Sequence, residues 1–311
     1  MGFTDLMTGA RVLVTGATGF VGRHTLGPLQ ALGCEVHVIS RRPANHDSRG
    51  VRYHECDLHN HAGVASLMGA IRPEHLLHLA WDVTPGEYIT SLENLRWVQS
   101  TLALAHIFVE CGGRRIVGAG TAAEYSWHKS PCDEATTPLV PDSLYAGSKL
   151  ALWHVLDRLS AQGSVGFAWG RVFFMFGPHE APERLVPVMV DAARRQQSLT
   201  LRHPTQVRDY LHAADVGAAF VALLASDVQG AVNLASGEGT DLSALAGLVG
   251  EAAGTEVPLE LGSTLDDPHP VVVAEVTRLR EEVRFTPRFS LRSGLRDTVD
   301  WWFRQHGNAG T

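Results

Sequence analysis

Short apolar runs recur along the chain, each closed by turn-forming residues and followed by a longer stretch with helical spacing of its apolar positions. Val12–Thr15 predicts a strand and Phe20–Leu32 a helix ending near Gly33. Glu35–Ser40 and Val51–Glu55 predict a second and a third strand. His75–Ala80 predicts a fourth, buried on both faces through Leu76, Leu77 and Leu79. Leu92–Glu110 reads as a long helix stopped by Gly112-Gly113, and Arg115–Gly118 opens a fifth strand. Leu144–Gln162 is another long helix, followed by Gly166–Val172 as a sixth strand. Such alternation predicts an α/β fold: a Rossmann-type, doubly wound parallel sheet covered by helices, with ligands at the carboxyl ends of its strands.

Beyond about Gly177 the pattern loosens, and Pro178, Pro182, Pro187 and Pro204 punctuate shorter segments. A helix is predicted over Leu185–Gln197, a strand over Ala231–Ala235, and a helix over Asp241–Ala253 with Asp241 as its cap. Residues 1–172 are expected to form the dinucleotide-binding domain and 173–311 mainly a smaller substrate-binding region. About 207–235 is expected to return to the first domain. No internal repeat or low-complexity segment is visible.

Composition narrows the class. The 311 residues are 45% hydrophobic and 19% charged, ordinary for a soluble globular chain. A formal net charge of −7 gives no reason to expect nucleic-acid binding. No apolar stretch approaches the roughly 20 residues that cross a bilayer, and no signal peptide or myristoylation pattern opens the chain. A cytoplasmic protein is expected. Cys34, Cys56, Cys111 and Cys132 share no metal-like spacing and read as free thiols. The sixteen histidines form no His-Glu-x-x-His or similar cluster, so no metal is expected.

Against that background two motifs carry chemistry. Gly16-Ala-Thr-Gly19-Phe-Val-Gly22 follows the first strand directly. Gly16 permits the tight turn, Gly19 a close approach of backbone to a diphosphate, and Gly22 close packing of helix on strand. Thr18, Phe20 and Val21 complete the turn, where free N–H groups and the helix dipole favour an anion. The second strand ends at Ser40, where an NAD enzyme usually has a carboxylate for the ribose 2′-OH. Arg41 and Arg42 follow, and either suits a 2′-phosphate, so NADP(H) is favoured over NAD(H). Asp57 is placed to accept from the adenine amino group, though it also suits an ordinary turn; Leu58, Leu79 and Ala80 would line the same site.

The second motif is Tyr145-Ala-Gly-Ser-Lys149. One helical turn apart, the two side chains share a face, and a nearby cation, from Lys149 and the nicotinamide ring, is expected to stabilise the phenolate of Tyr145, whose usual pKa is about 10. Tyr145 then exchanges a proton with a substrate oxygen while hydride moves at the attached carbon. Lys149 also suits the nicotinamide ribose. Thr121, at the end of the fifth strand, is expected to hydrogen-bond that substrate oxygen as the third catalytic group.

These residues resemble the extended short-chain dehydrogenase/reductase family, in its nucleotide-sugar epimerase/dehydratase branch. The likeness runs from about Arg11 to Trp302. Besides the two motifs it includes Asp57-Leu58, Leu77-His-Leu-Ala80, Asn94, Thr121 with Tyr125, and Arg171-Val-Phe-Phe-Met-Phe-Gly-Pro178. A last run, Arg208-Asp-Tyr-Leu-His-Ala-Ala-Asp-Val216, resembles the segment whose arginine binds the sugar-nucleotide diphosphate, which implies that role for Arg208. The family's 4,6-dehydratases have an Asp-Glu pair where this chain has Ala122 and Ala123. The GDP-fucose synthases have a Cys where it has Ala123, although a Gly-Pro-His survives at Gly177-Pro178-His179. His179 is therefore a candidate substrate contact, and Glu124 a poor acid or base.

The resemblance with NADPH preference implies a 4-ketoreductase of an NDP-4-keto-(6-deoxy)sugar. Open alternatives are an NDP-sugar 4-epimerase with tightly bound NAD, a reductase of non-sugar carbonyls, and a non-catalytic sensor. The two long helices are also expected to pair across a two-fold axis, as in family members that form homodimers.

Overall fold

The computed structural model describes residues 7–41, 50–261 and 270–307. Seven parallel strands form the central sheet: β1 (Arg11–Thr15), β2 (Glu35–Ser40), β3 (Val51–Glu55), β4 (His75–His78), β5 (Arg115–Thr121), β6 (Gly166–Val172) and β10 (Gly230–Leu234). Their spatial order is β10-β6-β5-β4-β1-β2-β3, so the chain winds outward in both directions from β1. Side chains alternate across this sheet as the pleat demands. Val12, Val14, Leu77, Val117 and Ala168 enter the core on one face. Leu13, Leu76, Ile116, Phe167 and Trp169 enter the core on the other.

The first face is covered by α1 (Arg23–Ala31) and α6 (Ala213–Ala225), the second by α2 (His61–Ile71), α3 (Glu93–Glu110) and α4 (Leu144–Ala161). Local chemistry sets the boundaries of these helices. Asn60 accepts the Gly63 N–H at the start of α2, and Ser143 accepts the Ala146 N–H at the start of α4. Gly112, at φ +83°, follows the end of α3. The C-terminal end of α6 is tied to β5 by the buried Arg115 guanidinium. It donates to the carbonyls of Leu223 (2.9 Å), Leu224 (3.1 Å) and Val228 (2.7 Å), and burial pulls its pKa down to about 10.

A smaller layer follows, with β7 (Phe174–Phe176), β8 (Leu199–Leu201), β9 (Val207–His212), β11 (Gly239–Asp241), β12 (Leu259–Leu261) and β13 (Val271–Val272). Strand β9 is central to it, pairing with β7, β11 and β13. Helices α5 (Leu185–Arg195), α7 (Leu242–Ala253) and α8 (Leu291–Gly307) pack there around Phe176, Met189, Tyr210, Leu245 and Leu295. Asp241 caps α7, accepting the Ala244 N–H at 2.8 Å.

Three expected boundaries move by two residues or more. The first helix begins at Arg23 rather than Phe20, because bonds from His24 N to Val21 O and Thr25 N to Gly22 O tighten the entry into a turn. Strand β4 ends at His78, so Leu79 and Ala80 lie beyond it, and α5 ends at Arg195, where Gln196 turns left-handed at φ +54°. All four cysteines are free thiols, and among the described residues no helix is long and apolar enough to cross a membrane.

Helices α1 and α6 meet tightly at Gly217, where a Cβ would stand 2.6 Å from the His24 Cβ and 2.8 Å from its carbonyl carbon. Gly217→Val is therefore expected to lose about 1–3 kcal/mol through overpacking, measured by urea unfolding. Gly247→Val, at a helix position with open space, is expected to lose less than about 1 kcal/mol.

Candidate functional site

The carboxyl ends of β1, β4 and β5 bring Thr15, His78 and Thr121 to one edge of the sheet, and the glycine turn sits on that edge. Gly16 has φ +73°, and a Cβ there would meet the Ala80 backbone nitrogen and the Leu79 carbonyl carbon at 2.7 Å. A Cβ on Gly22 would lie 2.1 Å from the Gly16 carbonyl oxygen. Only glycine fits either place, so the first turn of α1 is pressed against the strand ends while Thr18 and Gly19 stay exposed. Arg23 braces this turn, donating from Nε to the Gly19 carbonyl (3.1 Å) and from Nη2 to the Thr18 carbonyl (3.2 Å). This cradle, with a positive group beside exposed backbone at a helix N-terminus, fits a dinucleotide diphosphate. The sequence reading missed Arg23, whose signal was a cation directly after the third glycine.

At the floor, His78 bridges Thr15 Oγ1 (2.7 Å) and Thr101 Oγ1 (2.9 Å). Burial, with the nearby Lys149 charge, holds its imidazole down at about 3, so it is neutral at physiological pH. Leu58 is buried in the second core, whereas Asp57 Oδ1 accepts the His59 N–H at 3.0 Å in a local turn. Ser40 is half-buried at the end of β2 and Arg41 is exposed just past it; Arg42 lies outside the described residues.

Thr121, Tyr145 and Lys149 do converge. Thr121 caps a short 3₁₀ turn, Ala122–Glu124, and its hydroxyl accepts the Ala123 N–H at 3.2 Å while also hydrogen-bonding the Tyr145 hydroxyl. Its position is set from behind by Glu124, whose Oε1 accepts the Thr121 N–H and the Trp169 indole N–H, each at 2.9 Å. Glu124 Oε2 accepts from Arg171 Nε at 2.7 Å, in a pair fully removed from solvent. Arg171 reaches on to the Tyr125 hydroxyl (2.9 Å), which donates to Asn233 on β10 (2.8 Å). Glu124 is thus a buried structural anion.

The protein's own charges do not lower the Tyr145 phenol. Burial, reinforced by the neighbouring Tyr88, raises the Tyr145 phenol above its ordinary range, against the opposing bond from Thr121. Lys149 Nζ lies 6.0 Å from the Tyr145 ring centroid and donates instead to the Ala119 carbonyl at 2.9 Å. Desolvation brings the Lys149 pKa down to about 7, partly offset by Glu124. The lysine alone does not outweigh burial of the phenol. Tyr88 stands edge-on to Tyr145 at 4.9 Å, and the Arg184 guanidinium lies over Tyr88 at 5.4 Å; neither was found from sequence.

The two expected substrate contacts, His179 and Arg208, have neighbours of their own. His179, in the left-handed region at φ +69°, packs on Trp301 of α8 at 4.5 Å and faces the charge of Arg23. Arg208 is buried on β9, donates from Nη1 to the carbonyls of Val207 (3.0 Å) and Pro270 (3.4 Å), and lies over Phe174 at 5.5 Å. A surface recess of about 460 Å³, lined by Asp157, Gly163, Gly166 and Gly230, opens at the amino ends of β6 and β10, at the opposite edge from these groups.

Comparison with known proteins places this geometry. The sequence profile of the NAD dependent epimerase/dehydratase family matches residues 12–235. A UDP-glucose 4-epimerase of Rhizobium leguminosarum bv. trifolii is 28% identical over 325 residues, covering 95% of this chain and 98% of its own. The Thermus thermophilus UDP-glucose 4-epimerase, solved with NAD, is 27% identical with a TM-score of 0.79, covering 94% of this chain and 98% of its own. MoeE5, solved with UDP-glucuronic acid and NAD, is 25% identical with a TM-score of 0.82, covering 95% of this chain and 100% of its own.

Removing the buried anion should be costly, because Arg171 would keep its charge without a partner. Glu124→Ala is expected to lose about 3–5 kcal/mol in urea unfolding. Glu93→Ala, which breaks the exposed pair with Arg96, is expected to change stability by less than about 1 kcal/mol.

Proposed function

The chain belongs to the NAD dependent epimerase/dehydratase family, and from that membership we infer that it is a nucleotide-sugar 4-epimerase acting on a UDP-hexose. The observation that carries this reading is the Thr121–Tyr145 hydroxyl pair, with Lys149 on its flank, at the strand edge that also bears the glycine cradle. The length-matched epimerase relatives support it, as does the pairing of NAD with UDP-sugars in such proteins.

When bound, the nicotinamide ring supplies the hydride acceptor and donor, and its positive charge in the oxidised form favours phenolate. Tyr145 takes the proton of the sugar hydroxyl as the carbon beneath it is oxidised, and returns a proton to the same oxygen when that carbon is reduced on its other face. Thr121 hydrogen-bonds that oxygen throughout. Lys149, as ammonium, holds the nicotinamide ribose and stabilises the phenolate. Ala122 and Ala123 carry no transferable proton, so the loss of water from C5–C6 that completes a 4,6-dehydration lacks its acid and base here.

A second reading, NADPH-dependent reduction of an NDP-4-keto-6-deoxysugar, is favoured by one specific feature. Strand β2 ends in half-buried Ser40 and exposed Arg41, with no carboxylate to repel a 2′-phosphate. The apolar side chains of Leu92, Leu95 and Val155, which are 76%, 50% and 51% exposed on and beside α3 and α4, further support a homodimer joined through these helices.

Two assays separate the readings. The epimerase is expected to equilibrate UDP-glucose with UDP-galactose, or their N-acetyl or uronic analogues, without net cofactor use, and to release NAD⁺ on denaturation. Stoichiometric NADPH oxidation with a 4-keto-6-deoxysugar nucleotide, and no epimerisation, would instead establish the reductase. In either case Tyr145→Phe is expected to lower kcat by about 10²–10⁴ with the fold intact by circular dichroism.

A further inference from the structure

Trp81, three residues past the end of β4, has no part in the chemistry described so far, yet among the described residues its indole is the nearest aromatic face to Lys149. The Lys149 ammonium nitrogen stands 3.9 Å from the ring centroid. The ring is held from several sides. Its Nε1–H donates to Asn94 Oδ1 at 2.8 Å, and the Asn94 amide donates in turn to the carbonyls of Tyr88 (2.6 Å) and Ser91 (2.8 Å). Trp97 stacks on it at 5.9 Å, and Tyr145 meets it nearly edge-on at 6.4 Å. An indole so restrained is a fixed surface rather than a mobile filler.

We propose that Trp81 is a positioning residue for Lys149: its locked indole face seats the ammonium against the Ala119 carbonyl and keeps it charged. The groups facing that ammonium explain the need. His78 on β4 is held neutral, Tyr145 on the same helix is a neutral phenol, and Glu124 after β5 is already engaged by Arg171. Trp169 on β6 is more distant, at 5.9 Å. Burial by itself favours the neutral amine, which cannot stabilise a phenolate or donate fully to a ribose diol. The negative face of an indole opposes that burial in a water-poor site. One N–H is spent on Ala119 and a second side is covered by the ring, so the remaining donor direction is fixed. The role in turnover rests on the family chemistry proposed above; the seating of Lys149 does not.

The chain has only two lysines, Lys129 and Lys149, which makes the test direct. With ¹³Cε-lysine in the full unliganded chain, NMR resolves two resonances, and Lys129→Arg assigns them. The wild-type Lys149 midpoint is expected near 7. Trp81→Phe, which keeps a π face, should stay within about 0.3 pH unit, and Trp81→Leu should fall by about one unit. Trp81→Met, of similar reach but without a ring, replaces the leucine variant should that one not fold. The alkaline limb of kcat should shift downward by the same amount, with KM for the sugar nucleotide little changed. An unshifted Lys149 midpoint in the leucine or methionine variant would overturn the proposal. So would equal shifts in the phenylalanine and leucine variants, which would indicate packing alone. The titration is read whether or not the sugar reaction proves correct.

Discussion

The site depends on one carboxylate that has no water. Glu124 is fully buried, so its charge must be met by protein donors, and it collects three: the Thr121 N–H, the Trp169 indole and the Arg171 guanidinium. These lie on β6 and at the end of β5, so the anion pins two central strands where the hydroxyl chemistry begins. The run Gly118-Ala-Gly120 follows from the same constraint. A Cβ on Gly120 would come within 2.1 Å of Trp169 Nε1, and one on Gly118 within 2.4 Å of the same ring. The glycines are the flat bed on which the indole reaches Glu124, and Thr121 inherits its position from that contact.

The electrostatics of the floor follow from how few charges it holds. With Glu124 matched by Arg171 and His78 neutral, Lys149 is the ammonium closest to the Tyr145 phenol, and burial works against both groups taking their charged forms. A protonated phenol hydrogen-bonded to Thr121 is therefore the resting arrangement. Chemistry at Tyr145 then responds strongly to any added positive charge, because a water-poor cleft screens it little. On the chemistry proposed, proton transfer at Tyr145 would be coupled in this way to the charge of the nicotinamide ring.

What was legible in the sequence was whatever depends on local pattern. The strands of the parallel sheet stand out because their apolar runs are bounded by glycine and polar turns, and Asp241 announces the cap of α7. Helix α6 escaped notice because it is apolar nearly all round, as a helix buried between sheet, α1 and the second layer must be, so it shows no amphipathic period. Helix α2 was hidden by Gly63 and Gly69, which weaken helical propensity. At the site, residue identities pointed to Thr121, Tyr145 and Lys149, but not to the surroundings that set their protonation. Trp81, Tyr88 and Arg184 reach the trio only through folding. Nor does a motif reveal that an arginine such as Arg208 already spends hydrogen bonds on Val207 and Pro270.

Glu124 is one instance of a device used again later in the chain. In the run that contains Arg208, Asp209 is fully buried and accepts from Ser236 N and Oγ, Gly237 N and Ala274 N, while Asp215 accepts from Arg288 N and Phe289 N. Burial raises the Asp209 pKa against those bonds, so its anion persists because several donors converge on it. Each carboxylate gathers backbone N–H groups from segments distant in sequence and fixes a loop end to a strand or helix end. The segments around Ser236, Ala274 and Arg288 are therefore held by ionic hydrogen bonds.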